Sequence, residues 1–132
     1  MLKTLSLTNF RNFAKQQFQF GESVNVINAP NASGKTNILE AIFFLATGKS
    51  FKARVESEVI RHGQDIARIT GNGLEIVLTN GFIDIGKPAL EKVAKKKLTV
   101  NGIPKRLIDF AGNIKVTLFA PSDLELVTDS PS

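Results

Sequence analysis

The chain has 132 residues, 42% of them hydrophobic, a length and apolar content that suit one domain with a real core. Seventeen Lys and Arg against twelve Asp and Glu give a net charge of +5, which favours an anionic partner such as nucleotide or nucleic acid. The absence of cysteine excludes disulfides and thiolate metal sites, and the longest apolar run, residues 41–46, is far too short to span a membrane. The start carries no signal-peptide core, so a soluble cytoplasmic protein is the simplest expectation.

Residues 2–8 alternate Leu2, Leu5 and Leu7 with polar side chains, close to a half-buried strand. Residues 9–13 read as a turn, and 16–20 alternate again around Phe18 and Phe20. A turn at 21–23 leads into a strand carrying Val24, Val26 and Ile27. A helix follows from Thr36, with Ile38, Leu39, Ile42, Phe43 and Leu45 at helical spacing, and it ends near Gly48. Residues 49–55 are a basic loop, and 56–60 form a helical turn.

Three β-like stretches come next, at 66–70, 74–79 and 82–85. The turns between them, Gly71-Asn-Gly73 and Asn80-Gly81, favour antiparallel hairpins. Residues 86–97 are polar and lysine-rich. A strand at 97–100 ends in the Asn101-Gly102 turn. Pro104 to Phe110 reads as a short helix with Pro at its start and Gly112 after its end. Residues 114–119 form a strong strand, and 121–127 begin another helix, with Asp123 as its cap and Glu125 as a solvated charge in preference to acids close to a bound Mg²⁺.

Between the strand at 24–27 and the helix from 36 lies Ala29-Pro30-Asn31-Ala32-Ser33-Gly34-Lys35-Thr36. This is a P-loop of the [A/G]-x-x-x-x-G-K-[S/T] type in its required strand–loop–helix context. Its backbone N–H groups and the helix dipole suit phosphate. Lys35 would reach the outer phosphates, Thr36 would offer its hydroxyl to Mg²⁺, and Asn37 completes the site. Ala at 29 fits the motif. Ala at 32 costs about 1 kcal/mol if the backbone there needs a positive φ. The expected cofactors are ATP and Mg²⁺.

The mixture of a P-loop unit with antiparallel hairpins departs from the repeating βαβ of a doubly wound fold. The expected class is α/β: a P-loop ABC-type ATPase head lobe, with a mixed sheet, a P-loop helix and an antiparallel β-hairpin subdomain.

Several segments carry a resemblance to one family. They are Leu7-Thr-Asn-Phe-Arg-Asn-Phe13, the stretch from Ile27 to Ile42 with Leu39-Glu40-Ala41, Gly48-Lys-Ser-Phe-Lys52 and Val59-Ile-Arg-His-Gly63. Val100-Asn-Gly102 and Leu118-Phe-Ala-Pro-Ser-Asp-Leu-Glu-Leu-Val127 complete them. Together they resemble the N-terminal part of the RecF family of SMC/Rad50-like DNA repair ATPases. Alanines stand at 29 and 32 where that family usually has glycine.

The resemblance implies an ATPase that binds DNA at single-strand gaps in an ATP-dependent manner. The implied partners are duplex and single-strand-junction DNA, a RecR-like mediator and a second copy in an ATP-dependent homodimer. It also implies a second lobe with a signature motif and a Walker B acid. Neither motif is found in residues 1–132, which are therefore expected to be a truncated first lobe that binds nucleotide without hydrolysing it.

In resembling heads the arginine at position 11 lies near the phosphates; a surface arginine after an edge strand, packed between two aromatic residues, is the other reading. Lys52, Arg54, Lys95, Lys96 and Lys97 are candidate DNA contacts, with solvated loops as the alternative. Lone His62 reads as structural. Two other readings of the whole share these features. One is the P-loop head of an OLD-like or Rad50-like ATPase, and the other is a DNA-binding module whose P-loop has degenerated.

Overall fold

A computed structural model describes residues 2–20, 35–51, 53–84, 90–114, 118–120 and 125–127. The P-loop residues 29–34, the strand expected at 24–27, Lys52 and the cap expected at Asp123 lie outside the described residues.

The centre is a six-stranded sheet. Its strands are β1 (Thr4–Phe10), β2 (Phe13–Gln19), β3 (Ile66–Gly71), β4 (Leu74–Thr79), β7 (Lys96–Val100) and β8 (Ile103–Pro104), in the spatial order β2-β1-β3-β4-β7-β8. Every neighbouring pair is antiparallel. The expected hairpins at β1–β2 and β3–β4 are present. The one expected across Asn80-Gly81 is not, because β4 pairs with β7 instead, and the Asn101-Gly102 turn closes a hairpin, β7–β8, where a turn into a helix was expected. Asn72 and Gly73 turn β3 into β4, and Asn101 and Gly102 turn β7 into β8, each with positive φ. Both turns combine residue types that tolerate this conformation.

Two small antiparallel ribbons stand outside this sheet: β5 (Phe82–Asp84) with β6 (Leu90–Lys92), and β9 (Leu118–Ala120) with β10 (Glu125–Val127). The first extends the β4–β7 hairpin, because Thr79 N–H donates to Lys95 O at 2.9 Å and Val93 N–H to Gly81 O at 2.9 Å. The polar stretch 86–97 concealed β6, whose pairing is tertiary rather than patterned. At the C-terminal end, Glu125–Val127 is a strand, not part of a helix, because it pairs with β9 in register, Leu126 opposite Phe119.

One face of the sheet carries the core. Period-2 alternation buries Leu5 and Leu7 on β1, Ala67 and Ile69 on β3, and Leu74, Ile76 and Leu78 on β4. On β1 the phase then shifts: Phe10 is fully buried, not residue 9. Asn9 has φ 51, and this left-handed residue re-aims the chain so that Phe10 also points inward.

Helix α1 (Lys35–Thr47) covers this face with Ile38, Ala41, Phe44 and Leu45. Large side chains such as Phe44 and Leu45 each contribute about 1.5–3 kcal/mol when fully buried. Gly48 ends the helix with φ 77, and its N–H donates to Phe44 O at 2.7 Å. A 3-10 turn (Glu56–Val59) buries Val59. Helix α2 (Leu107–Phe110) plugs the end of α1 with Phe110. The expected helix over 104–110 starts later than its proline suggested, since Pro104 pairs with Thr99 at the sheet edge. Among the described residues, no helix is long and apolar enough to cross a membrane.

Candidate nucleotide site

Helix α1 opens at Lys35, within the motif at 29–36. Its first turn carries no acidic residue, so no carboxylate competes with an anion for the free N–H groups there. Thr36 is exposed in this turn, with its hydroxyl available as an oxygen ligand for a hard cation. The donor set at this end of α1, N–H groups with a hydroxyl, is chemically suited to a nucleotide phosphate and Mg²⁺.

The β1–β2 turn docks beside the same end of α1. Phe10 pairs with Phe13, leaving Arg11 and Asn12 as the two loop residues. Asn37 Nδ2 on α1 donates to Asn12 Oδ1 at 3.0 Å. Arg11 donates from Nε to Glu40 Oε1 at 2.9 Å and from Nη2 to Glu40 Oε2 at 3.0 Å, a bidentate pair. The Glu40 side chain is 0% exposed and that of Arg11 is 22% exposed. Ser50 Oγ, beyond the helix, also donates to Glu40 Oε2. The hydrogen bond to Glu40 is the main reason that the Arg11 pKa is raised above its already high ordinary value; the charges of Glu40 and Glu58 add to it and burial opposes it.

Arg11 itself has φ 53, the left-handed region that costs a non-glycine residue roughly 1–2 kcal/mol. The surrounding chain fixes it there. Arg11 N–H donates to Val59 O at 2.7 Å, Arg61 N–H to Asn9 O at 2.7 Å, and Arg61 Nη1 to Asn12 O at 2.9 Å. The turn is thus held by α1 on one side and by 59–61 on the other.

The structure therefore sets the Arg11-Asn12 turn against Asn37 and Glu40 of the helix that Lys35 and Thr36 begin. Glu40 and Ser50 were named only within the family resemblance, with no role attached. The available signal was an acid embedded in the apolar run Ile38 to Ala46.

The basic candidates separate into two kinds. Arg54, Lys95 and Lys97 are exposed. Lys96 departs from the expectation of a DNA contact: its ammonium is spent inside the fold, 2.8 Å from Glu56 Oε1 and donating to Gly48 O at 2.8 Å. Strand alternation turns it away from its neighbours in sequence. His62 is exposed. No cluster of three or more His, Cys, Asp or Glu that could hold a metal occurs among the described residues.

Comparison with known proteins adds an independent line. Residues 1–101 match the family described as RecF/RecN/SMC N terminal domain. The chain is 36% identical to the DNA replication and repair protein RecF of Lachnospira eligens over 100% of its own length and 36% of that protein's. It is 39% identical to the RecF protein of Macrococcus caseolyticus, over 98% of this chain and 34% of that one. The chain thus spans about a third of the length of these curated relatives. Among solved structures, that of the recombination mediator protein RecF-ATPrS in the RecFOR pathway superposes with a TM-score of 0.71 and 32% identity, covering 93% of this chain and 33% of that one. A structure from work on ATP-driven dimerization and DNA stimulated activation of SMC ATPases matches with a TM-score of 0.65 at 18% identity, over 83% of this chain and 74% of that one, a likeness of fold.

Proposed function

The chain belongs to the RecF family, within the RecF/RecN/SMC N-terminal domains, and on that premise we propose that it is the nucleotide-binding first lobe of a DNA-repair ATPase head. The observation that carries this reading is the start of α1. Lys35 and Thr36, the last two residues of the motif at 29–36, begin a helix of 13 residues without an acid in its first turn. ATP is the proposed ligand, in keeping with the RecF-ATP and RecF-ATPrS structures that the chain resembles.

In this reading the backbone of Ala29, Pro30, Asn31, Ala32, Ser33 and Gly34 wraps the phosphates. Lys35 neutralises the outer ones. Thr36 holds Mg²⁺, which would supply charge neutralisation between phosphate oxygens. Arg11 and Asn37 flank the site. Hydrolysis requires groups that position water and clamp the γ-phosphate, and we assign those to a second lobe and a second copy of the head. DNA at single-strand gaps is the proposed substrate surface, reached through Lys52, Arg54, Lys95 and Lys97 as phosphate contacts. A RecR-like mediator is the proposed protein partner, and the cytoplasm the proposed compartment.

Calorimetric titration with Mg·ATP tests the core of this reading. Saturable binding that is lost in Lys35→Ala supports it. Absence of binding by the folded wild-type chain, together with none in Ala32→Gly, refutes it.

A further inference from the structure

Glu40 is a fully buried carboxylate on the helix that begins with the phosphate motif. A buried ion pair is weak support for stability, since apolar residues of similar volume commonly do as well. Its place on the helix is informative. Glu40 lies four residues beyond Thr36 and three beyond Asn37, on one face of the first turns. The guanidinium it holds is therefore fixed alongside the phosphate-binding end of α1.

The fork is only partly used. Nε and Nη2 of Arg11 are taken by Glu40, while Nη1 has no partner among the described residues. Arg11 also keeps a strained backbone, φ 53, which the surrounding hydrogen bonds maintain. Such strain recurs where a side chain must be aimed. Ser50 Oγ holds Glu40 Oε2 from the other side, so the carboxylate is itself anchored.

We propose that Glu40 is a positioning residue of the nucleotide site. It touches no ligand; it orients Arg11 so that Nη1 is presented to the phosphates at the start of α1, and Ser50 locks that orientation. This rests on the nucleotide reading above.

A double-mutant cycle on Mg·ATP affinity tests it, with wild type, Glu40→Gln, Arg11→Ala and the double variant measured by calorimetry on the 132-residue chain. Each single change is expected to weaken binding about tenfold, the scale of one charge-assisted hydrogen bond. The double variant is expected to bind within about twofold of Arg11→Ala, because Glu40 acts only through Arg11. Losses that multiply, or a folded Glu40→Gln that binds as wild type while losing only urea resistance, overturn the proposal. If Glu40→Gln does not fold, Ser50→Ala takes its place, with about a threefold loss expected only when Arg11 is present; no such loss overturns it. Lys35→Ala separates the two levels. Lost binding in Lys35→Ala with none lost in Glu40→Gln removes only the positioning role. Equal binding by wild type and Lys35→Ala, or no binding by either wild type or Ala32→Gly, removes the nucleotide reading and the proposal with it.

Discussion

Lys96 donates to the carbonyl of Gly48 at 2.8 Å, so a lysine from the densest basic run of the chain closes the end of the helix that starts at Lys35. A cation at a helix C-terminus meets the negative end of its dipole and an otherwise unpaired carbonyl. Glu56 completes the arrangement. The three consecutive lysines therefore differ in role although they are identical in composition.

Lys96→Ala is expected to lower unfolding stability by about 1–2 kcal/mol, the cost of a part-buried, charge-assisted contact. Lys95→Ala and Lys97→Ala are expected to stay within about 0.5 kcal/mol of wild type. In DNA titrations the ranking reverses. If Lys95 and Lys97 contact DNA phosphates as proposed, each of Lys95→Ala and Lys97→Ala is expected to reduce the slope of log K against log salt by about one, and Lys96→Ala to leave it unchanged. Equal salt slopes for all three variants would contradict this division.

Gly71 closes β3 against β1 and α1. A Cβ there would meet the backbone oxygen of Thr4 at 2.5 Å, with Leu2 Cδ1 at 2.9 Å and Leu45 Cδ1 at 3.0 Å. The oxygen belongs to a paired strand and cannot swing aside. Gly71→Ala is expected to cost about 2–3 kcal/mol in urea denaturation, from overpacking rather than from backbone conformation. Gly63→Ala serves as the contrast: nothing lies within 4 Å of its Cβ position, so its φ of 85 alone sets the smaller loss, about 1 kcal/mol.

Phe44 seats α1 on the sheet and is fully buried. Phe44→Ala removes a large side chain from a packed core and is expected to cost about 3–5 kcal/mol. Because the same helix presents Thr36 and Glu40, ATP affinity should fall as well, even at urea-free conditions where the chain remains folded. Unchanged affinity in a destabilised Phe44→Ala would separate helix seating from ligand binding.

The Arg11 pKa is raised in the fold, chiefly by its hydrogen bond to Glu40. A raised folded-state value means that the contribution is complete below the unfolded-state pKa and is lost only as pH climbs through the folded one. Both lie above the usual working range. The stability difference between wild type and the Arg11→Met/Glu40→Met double variant, which leaves no unpaired buried carboxylate, should therefore be flat from pH 7 to pH 10, measured by urea midpoints. A difference that shrinks across that interval would contradict the assignment.

Elements with local signals were legible in the sequence. Alternation marked β1 to β4, the Gly71-Asn-Gly73 turn marked the β3–β4 hairpin, and helical spacing with Gly48 marked α1; Asn80-Gly81 marked a hairpin that does not form, because β4 pairs with β7. The misread elements depend on partners distant in sequence. Glu125–Val127 is a strand only because β9 lies opposite it, and Pro104 is an edge-strand residue only because Thr99 does. At the site, the loop motif and Arg11 were visible as residue types. The buried carboxylate at Glu40 was not assigned a role, because a pattern of hydrophobicity treats an acid inside an apolar run as an exception rather than as one half of a pair.

The pairing of β1 with β3 sets Ser6 opposite Thr70 and Leu7 opposite Ile69, so the phosphate motif, α1 and the 3-10 turn all belong to one excursion between adjacent strands. The β3–β4–β7 meander needs only short-range closure, whereas joining β1 to it must first meet the entropy of a very long loop. The meander is thus expected to nucleate folding, with β1 and the β1–β2 turn joining late. Substitutions at the β1–β3 seam should accelerate unfolding and leave the folding rate nearly untouched. A ligand that ties the β1–β2 turn to α1 would act on that same late step, lengthening the lifetime of the native state without speeding its formation.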